Sequence, residues 1–164
     1  MSEKNPVLKV SAIVTHDGKI LLMKERFQKS SRHGWNLPGG GWDEADHGLA
    51  QTAIREAREE TGLEITIDGL YKIAIVNLEE KHKLQFFFVG HASTAEARLP
   101  SQEAQEKLGE DIIGYQWFSR EEIMETPDTE FISTTIARIA KEYAASPKIF
   151  PTDQIAYFDS ETKF

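Results

Sequence analysis

Cysteine is absent from the 164 residues of this chain. Without cysteine there are no disulfide bonds and no thiolate ligands, so a bound metal would be held by carboxylate, imidazole or backbone oxygen groups. Oxygen ligands suit hard cations such as Mg²⁺ and Mn²⁺. The acidic residues are therefore the first place to look for a metal site.

Long apolar runs are also missing. No stretch approaches the roughly 18 apolar residues that span a membrane, and the opening MSEKNPVLKV lacks both the basic start and the apolar stretch of a secretory signal. These absences predict a cytoplasmic protein that has no membrane contact. The length suits one domain over residues 1–164, with a core at about 7–143 and an irregular tail at 146–164.

Basic residues are outnumbered by acidic ones, 19 to 27, which gives a formal net charge of −8. This charge argues against broad attraction to a nucleic-acid backbone or to an anionic membrane, so long nucleic acid is not an expected partner. A small anionic ligand is still compatible with the charge, because a bound divalent cation reverses the local field.

The first half of the chain predicts a hairpin followed by a helix. Strand-forming runs at Val7 to Val14 and Lys19 to Glu25 flank Asp17-Gly18, a dipeptide typical of tight hairpin turns. A helix is predicted from about His47 or Gly48 to Thr61, with Gly62 as its C-terminal cap.

The second half predicts more strands and two further helices. Strands are expected at 64–78, 83–93 and 115–119. Ser119 is placed to cap a short helix, whereas residues 93–111 show no clear period. Apolar residues at helical spacing predict a last helix from Thr129 to Ala145.

Three carboxylates share one face of the first predicted helix. At about 100° per residue, Glu59 and Glu60 lie roughly 60° and 40° to either side of Glu56. Their repulsion costs roughly a few tenths of a kcal/mol, so an ordinary solvated acidic face is one interpretation. The glycine-rich turn at 39–41 favours a metal site instead, because it exposes backbone and leaves room for a ligand.

The same segment resembles the Nudix box, G-x5-E-x7-R-E-U-x-E-E-x-G-U, in which U is an aliphatic residue. The resemblance spans residues 41–63, with Ala57 as a small residue at the first U. The flanking segments HGWNLPGG and EDIIGYQWFSREEI are also similar to parts of this family. Seven positions follow the spacing of the box: Gly41, Arg55, Glu56, Glu59, Glu60, Gly62 and Leu63.

This resemblance implies an α/β fold, the Nudix-type α/β/α sandwich with a mixed β-sheet between helices. It also implies a metal-dependent hydrolase that cleaves a phosphoanhydride bond in a nucleoside di- or triphosphate derivative, with Mg²⁺ or Mn²⁺ as cofactor. The expected partner is a small-molecule nucleotide, and the oligomeric state is left open, a homodimer included. The alternative is a non-catalytic module that senses a nucleotide on the same scaffold.

One position departs from the box. His47 stands where the family has a glutamate, and Asp46 lies beside it. A one-residue insertion in the loop would give Asp46 the glutamate's role of orienting the loop, which is the interpretation we favour. If neither residue substitutes, metal affinity or turnover would fall, and the sensor alternative gains support.

The resemblance assigns Glu56, Glu59 and Glu60 to the metal, with a backbone carbonyl of Gly40 as a further ligand. It gives Arg55 the role of positioning these ligands. The cation would neutralise the diphosphate and activate a water molecule for attack on phosphorus.

Glu59 is the first choice for the general base, Glu56 is counted with it as catalytic, and Asp111 or Glu110 comes next. Predicted substrate contacts combine cations for the phosphates with a half-exposed aromatic side chain for stacking, although solvated cations and a core aromatic are the plainer interpretation. These predicted contacts are Lys24, Arg26, Arg32 and Trp42.

Overall fold

A computed structural model describes residues 6–26, 31–77, 82–153 and 155–157 of the chain. The strands in these ranges are β1 (Val7–His16), β2 (Lys19–Arg26), β3 (His33–Asn36), β4 (Gly39–Gly41), β5 (Ile65–Asn77), β6 (His82–Ala92) and β7 (Ile112–Phe118). The helices are α1 (Leu49–Thr61), α2 (Gln102–Leu108), α3 (Arg120–Glu125) and α4 (Thr134–Ala145). Short 3₁₀ turns lie at Glu44–Asp46 and Asp128–Glu130.

The sheet is mixed, as predicted. Strands β1 and β2 are antiparallel and meet at the predicted turn, where Asp17 and Gly18 have φ angles of 46° and 76°. Strand β1 then runs parallel to β6, from the pair Val7 and Lys83 to the pair Thr15 and His91. The strand order is β3-β2-β1-β6-β5, with β4 added to β1 and β7 added to β2.

Helices cover both faces of this sheet. The Val10 face of β1 packs against Ala53 and Ala57 of α1, whose small side chains let the helix approach the sheet closely. The opposite face, represented by Ile13, packs with Ile136 of α4. The predicted α/β/α sandwich is therefore confirmed.

Two helices differ from the prediction. Helix α4 begins at Thr134 and not at Thr129, because Ser133 accepts a hydrogen bond from the Ile136 N–H and so caps the helix. Before it, Phe131 is extended and pairs with Trp35 of β3. Helix α2 was not predicted, because none of its residues is fully buried and its sequence shows no apolar stripe at helical spacing.

The segments around the strands show smaller differences. The glycine-rich turn at 39–41 forms the short strand β4. The segment EEKHK at 79–83 predicts a second hairpin turn; residues 79–81 fall outside the described ranges, and residues 82 and 83 belong to β6. In the tail, Phe150 pairs with Leu70 of β5. Across the described ranges, no helix combines the length and hydropathy needed to span a membrane.

Candidate functional site

Arg55 of α1 ties the loop after β4 to the helix. Its Nε donates to Asp46 Oδ1 at 2.8 Å, and its Nη2 donates to Asp46 Oδ2 at 3.0 Å and to the Gly41 carbonyl at 3.0 Å. Two parallel bonds from a guanidinium to one carboxylate fix orientation as well as distance. The loop is therefore held in one position relative to α1.

The same guanidinium also holds two of the predicted metal ligands. Nη1 of Arg55 lies 2.8 Å from Glu56 Oε1 and 2.9 Å from Glu59 Oε2. Its hydrogen bond with Asp46 is the largest of the influences that raise the pKa of Arg55 far above its ordinary value. This geometry agrees with the positioning role that the resemblance implies for Arg55.

Asp46, and not His47, makes the contact expected of the missing glutamate. Asp46 is only 7% exposed, and the hydrogen bond from Arg55 is the main cause that lowers its pKa. Its carboxylate also accepts from the Asp43 N–H at 3.2 Å. His47 is exposed, has φ 49°, and its ring lies against Tyr157. The structure thus favours the alignment with a one-residue insertion.

We expect Asp46→Asn to impair activity more than His47→Ala. Asparagine cannot offer two oxygens to the guanidinium, so the loop and the Arg55 side chain would lose their fixed position. The Asp46→Asn variant should also lose about 1–3 kcal/mol of stability and so unfold at a lower temperature. Nucleotide hydrolysis and thermal melts of both variants test this, and a larger loss in His47→Ala would overturn the alignment.

Glu60 is the most deeply buried carboxylate of α1. It is 3% exposed, and its Oε2 accepts from the Gly39 N–H of β4 at 2.8 Å. Burial, followed by repulsion from Glu110, raises its pKa well above the ordinary value. Burial likewise raises the pKa of Glu56 against the opposing effect of Arg55. An added positive charge beside this pair would therefore be strongly attracted.

Two further glutamates join this group from other elements. Burial and the neighbouring charges of Glu25 and Glu56 raise the pKa of Glu110 to about 7. Glu25 of β2 accepts from Asn36 Nδ2 at 2.7 Å. Glu25 was not predicted, because the local sequence of β2 does not show which distant residues it meets. The register of β2 with β7 shifts between Lys24 and Glu25.

Asp111 and Glu110 were the alternative choices for the general base after Glu59. The structure favours Glu110 of these two. Asp111 Oδ2 lies 3.5 Å from Arg26 Nε, and the Asp111 side chain is 43% exposed. Glu110, in contrast, interacts electrostatically with Glu25, Glu56 and Glu60. The catalytic role predicted for Asp111 stays a prediction that this placement does not support.

The raised pKa of Glu110 gives a pH prediction for the metal-free protein. A carboxyl group whose pKa is raised to about 7 by folding binds its proton more tightly folded than unfolded, so stability falls as pH rises from about 4.5 through 7. Glu110→Gln should be neutral near pH 4 and stabilising at pH 8, by roughly 1–3 kcal/mol, because Glu110 is only half-buried and water screens part of the effect. Denaturant unfolding in EDTA at both pH values tests this; a pH-independent difference would contradict it.

A cleft of about 300 Å³ lies beside these glutamates, between β1, β6, β4 and the start of α4. Lys9 lowers the pKa of both Glu56 and Glu110, so its charge reaches the carboxylates. The polar side chains that line the cleft are Lys9, Ser11, Glu25, Asn36, Lys83, Gln85, Glu110 and Ser133. Lys9 and Lys83 were not predicted, because only the parallel register of β1 with β6 brings them together.

The predicted substrate cations lie elsewhere. Lys24 Nζ sits 4.4 Å from the centre of the Trp35 ring. Arg26 donates to His33 Nε2 at 3.2 Å, and Arg32 donates to the Thr129 carbonyl at 3.3 Å. None of these three residues is part of the lining of the cleft beside the glutamates. Their binding role stays a prediction without support from this placement.

Trp42 lies closer to the site. It is half-buried, which confirms its predicted partial exposure, and its ring centre is 6.5 Å from that of Tyr157. It lines a second cleft of about 520 Å³ together with Arg55, Glu56 and Glu59. A stacking role for Trp42 is thus compatible with its position.

The chemistry of the donor set fits a hard divalent cation. Glu56, Glu59 and Glu60 offer only oxygen, and each contacts Arg55 or Gly39 through one oxygen. A Cβ at Gly40 would collide with the Glu56 carboxylate, so this glycine makes room for it. Within the described ranges, no three acidic or histidine side chains already converge as a metal cluster. The metal ligands therefore stay a prediction.

Comparison with known proteins shows a family match and a relative in sequence. The NUDIX domain family matches residues 6–139. The CTP pyrophosphohydrolase of Escherichia coli (strain K12) is 31% identical over 118 residues, which cover 72% of this chain and 79% of that protein.

Solved structures share the fold. A NUDIX hydrolase from Nitrosomonas europaea has a TM-score of 0.76 at 24% identity, covering 96% of this chain and 100% of its own. The NUDIX domain of Shewanella oneidensis NrtR, solved in complex with ADP ribose, has a TM-score of 0.67 at 19% identity, covering 88% and 90%. With the sequence match over most of its length, the chain belongs to the Nudix hydrolase family.

Proposed function

We propose that this protein is a metal-dependent hydrolase that cleaves a phosphoanhydride bond in a nucleoside di- or triphosphate derivative. The observation that carries the proposal is the group of glutamates around Gly39 and Gly40. Glu60 bonds to the Gly39 N–H, Arg55 holds Glu56, and Glu25 and Glu110 line an adjoining cleft of about 300 Å³. These carboxylates are buried and repel one another. A cation placed between them and a polyphosphate would lower the electrostatic energy of both groups.

Glu56, Glu59 and Glu60 would hold the cation, together with the Gly40 carbonyl. We propose Mg²⁺, with Mn²⁺ as a substitute, because both prefer oxygen ligands and bind phosphate oxygens. When bound, the cation supplies charge neutralisation of the diphosphate and a nucleophile at neutral pH.

The protein's own groups would position the ligands and move the proton. Arg55 keeps Glu56 and Glu59 in place through bonds of 2.8 and 2.9 Å. Glu59 is our first candidate for the base that takes a proton from the attacking water. Glu110 is the second, because a pKa of about 7 suits a general base at neutral pH.

The relative's activity selects the first substrate to test. The Escherichia coli relative is a CTP pyrophosphohydrolase, and we propose a nucleoside triphosphate, with CTP first, for this chain as well. A single folding unit over residues 1–164, a cytoplasmic location and the oligomeric state stay predictions.

A substrate panel tests the proposal. Nucleoside triphosphates, nucleoside diphosphate sugars and ADP ribose would be incubated with Mg²⁺, Mn²⁺ or EDTA, and products identified by ion-exchange chromatography. We expect metal-dependent cleavage of at least one compound, with CTP cleaved to CMP and pyrophosphate, and Glu60→Gln as the inactive control. Nucleotide binding without turnover under any metal condition would overturn the proposal and favour the sensor alternative.

A further inference from the structure

Gln85 of β6 has a buried carboxamide group whose hydrogen bonds are only partly satisfied within the fold. The residue is 5% exposed and lines the cleft beside the glutamates. Its Nε2 donates to Ser11 Oγ of β1 at 2.8 Å. Its Oε1, in contrast, is buried and has no hydrogen-bond partner among the described residues.

A buried carbonyl oxygen without a donor is unfavourable and uncommon in folded proteins. The other carboxamide in the cleft shows the contrast, because Asn36 donates to Glu25 and accepts from the Leu37 N–H at 2.9 Å. Gln85 therefore holds the one carboxamide oxygen, among the described cleft residues, that a ligand donor would complete.

The position of Gln85 is fixed by the sheet. Gln85 pairs with Lys9 in the parallel register of β6 with β1, and Ser11 anchors its amide nitrogen. The glutamates Glu25 and Glu110 line the same cleft. A ligand whose phosphates lie at the acidic group can thus place another part of itself against the carboxamide.

We propose that Gln85 is a specificity-determining residue whose Oε1 accepts a hydrogen bond from the exocyclic amino group of the substrate's base. This inference rests on the proposed function, which supplies the nucleotide. It adds that Gln85 favours bases with an exocyclic amino group over those with a keto group at the same position. The keto oxygen of uracil or hypoxanthine would face Oε1 with two acceptors in contact, which is unfavourable in a buried site.

Binding of nucleoside monophosphates tests the inference apart from catalysis, since these lack a phosphoanhydride bond. CMP against UMP, and AMP against IMP, each exchange an amino group for a keto group on the same ring. Calorimetry should show the amino member of at least one pair binding at least about tenfold more tightly. Equal affinities within both pairs, no binding of any of the four, or a preference for the keto member would each overturn the assignment.

Variants then connect the preference to the side chain. Gln85→Met keeps the length but removes both polar atoms, and should abolish the preference while thermal melts confirm folding. Gln116→Met is the matched control, because Gln116 lies on the exposed part of β7 and outside the cleft. This variant should keep the preference for the amino-bearing base. A preference that survives in Gln85→Met would assign it to another residue and refute the inference.

Hydrolysis separates the two proposals. The ratio of kcat/KM for CTP over UTP, or ATP over ITP, should follow the monophosphate affinities and fall to near one in Gln85→Met. If the monophosphates discriminate and no compound of the substrate panel is cleaved under any metal condition, the role of Gln85 stands and the proposed function fails. If triphosphates are cleaved without discrimination, the proposed function stands and the role of Gln85 fails.

Discussion

Glu60→Gln should lower kcat for nucleotide hydrolysis by about 100-fold or more, on the order of 3 kcal/mol of transition-state stabilisation. Glutamine retains an oxygen for the Gly39 N–H but lacks the charge that would hold a cation. The metal-free variant should nevertheless melt at a higher temperature than the natural protein at pH 8. At pH 8 folding either buries a repelled charge at Glu60 or retains a proton that the unfolded chain releases, because burial and its neighbours raise the pKa of Glu60. A neutral amide incurs neither cost.

Glu59→Gln separates the loss of activity from the gain in melting temperature. We expect a similar loss of kcat but little change in melting temperature, because the Glu59 side chain is 34% exposed and its pair with Arg55 is partly solvated. Glu64→Gln is the control: that glutamate lies just past the same helix, 69% exposed, and pairs with Arg58. Near-normal rates in Glu59→Gln or Glu60→Gln would remove that residue from the site.

Gly40→Ala should lower activity by about ten- to 100-fold and reduce stability by about 1–3 kcal/mol. The added Cβ would collide with the carboxylate of Glu56, which is buried and held by Arg55 and so cannot move aside freely. The predicted metal ligand would therefore lose its position.

Gly41→Ala is the matched control for this substitution. A Cβ at Gly41 meets nothing within 4 Å, and the backbone carbonyl that accepts from Arg55 is retained. Activity and melting temperature should stay close to those of the natural protein. Equal losses in both alanine variants would show that the backbone of β4, and not the room beside Glu56, sets the requirement for glycine.

The parts of the fold with local signals were predictable from the sequence. Asp17-Gly18 marked the first hairpin, and Gly62 ended α1 in the left-handed conformation that a C-terminal cap requires. The start of α4 was predicted too early because apolar spacing continues back to Phe131, although Ser133 is the residue that caps the helix. Periodicity therefore located this helix but not its first residue.

The candidate site was predictable only where its residues are close in sequence. Arg55 and the three glutamates of α1 follow one motif, so their shared face could be derived from helical spacing. Glu25, Lys9 and Gln85 reach the site through strand register, which depends on contacts between distant segments. No local pattern in the sequence marks such residues.

The predicted phosphate-binding cations illustrate the same dependence on register. Lys24, Arg26 and Arg32 are near the glycine-rich segment in sequence, yet they contact Trp35, His33 and Thr129 in the structure. Closeness in the chain is a weak guide across a sheet whose central strands, β1 and β6, are parallel and distant in sequence.

The central claim is that Glu56, Glu59 and Glu60 hold divalent cations against a phosphate ligand. Crystals soaked in MnCl₂, measured at a wavelength that gives manganese an anomalous signal, test it most directly. We predict an anomalous peak bound by these carboxylates and by the carbonyl of Gly40. A map without a peak there, in which Arg55 still holds Glu56 and Glu59 at their present distances, would contradict the account.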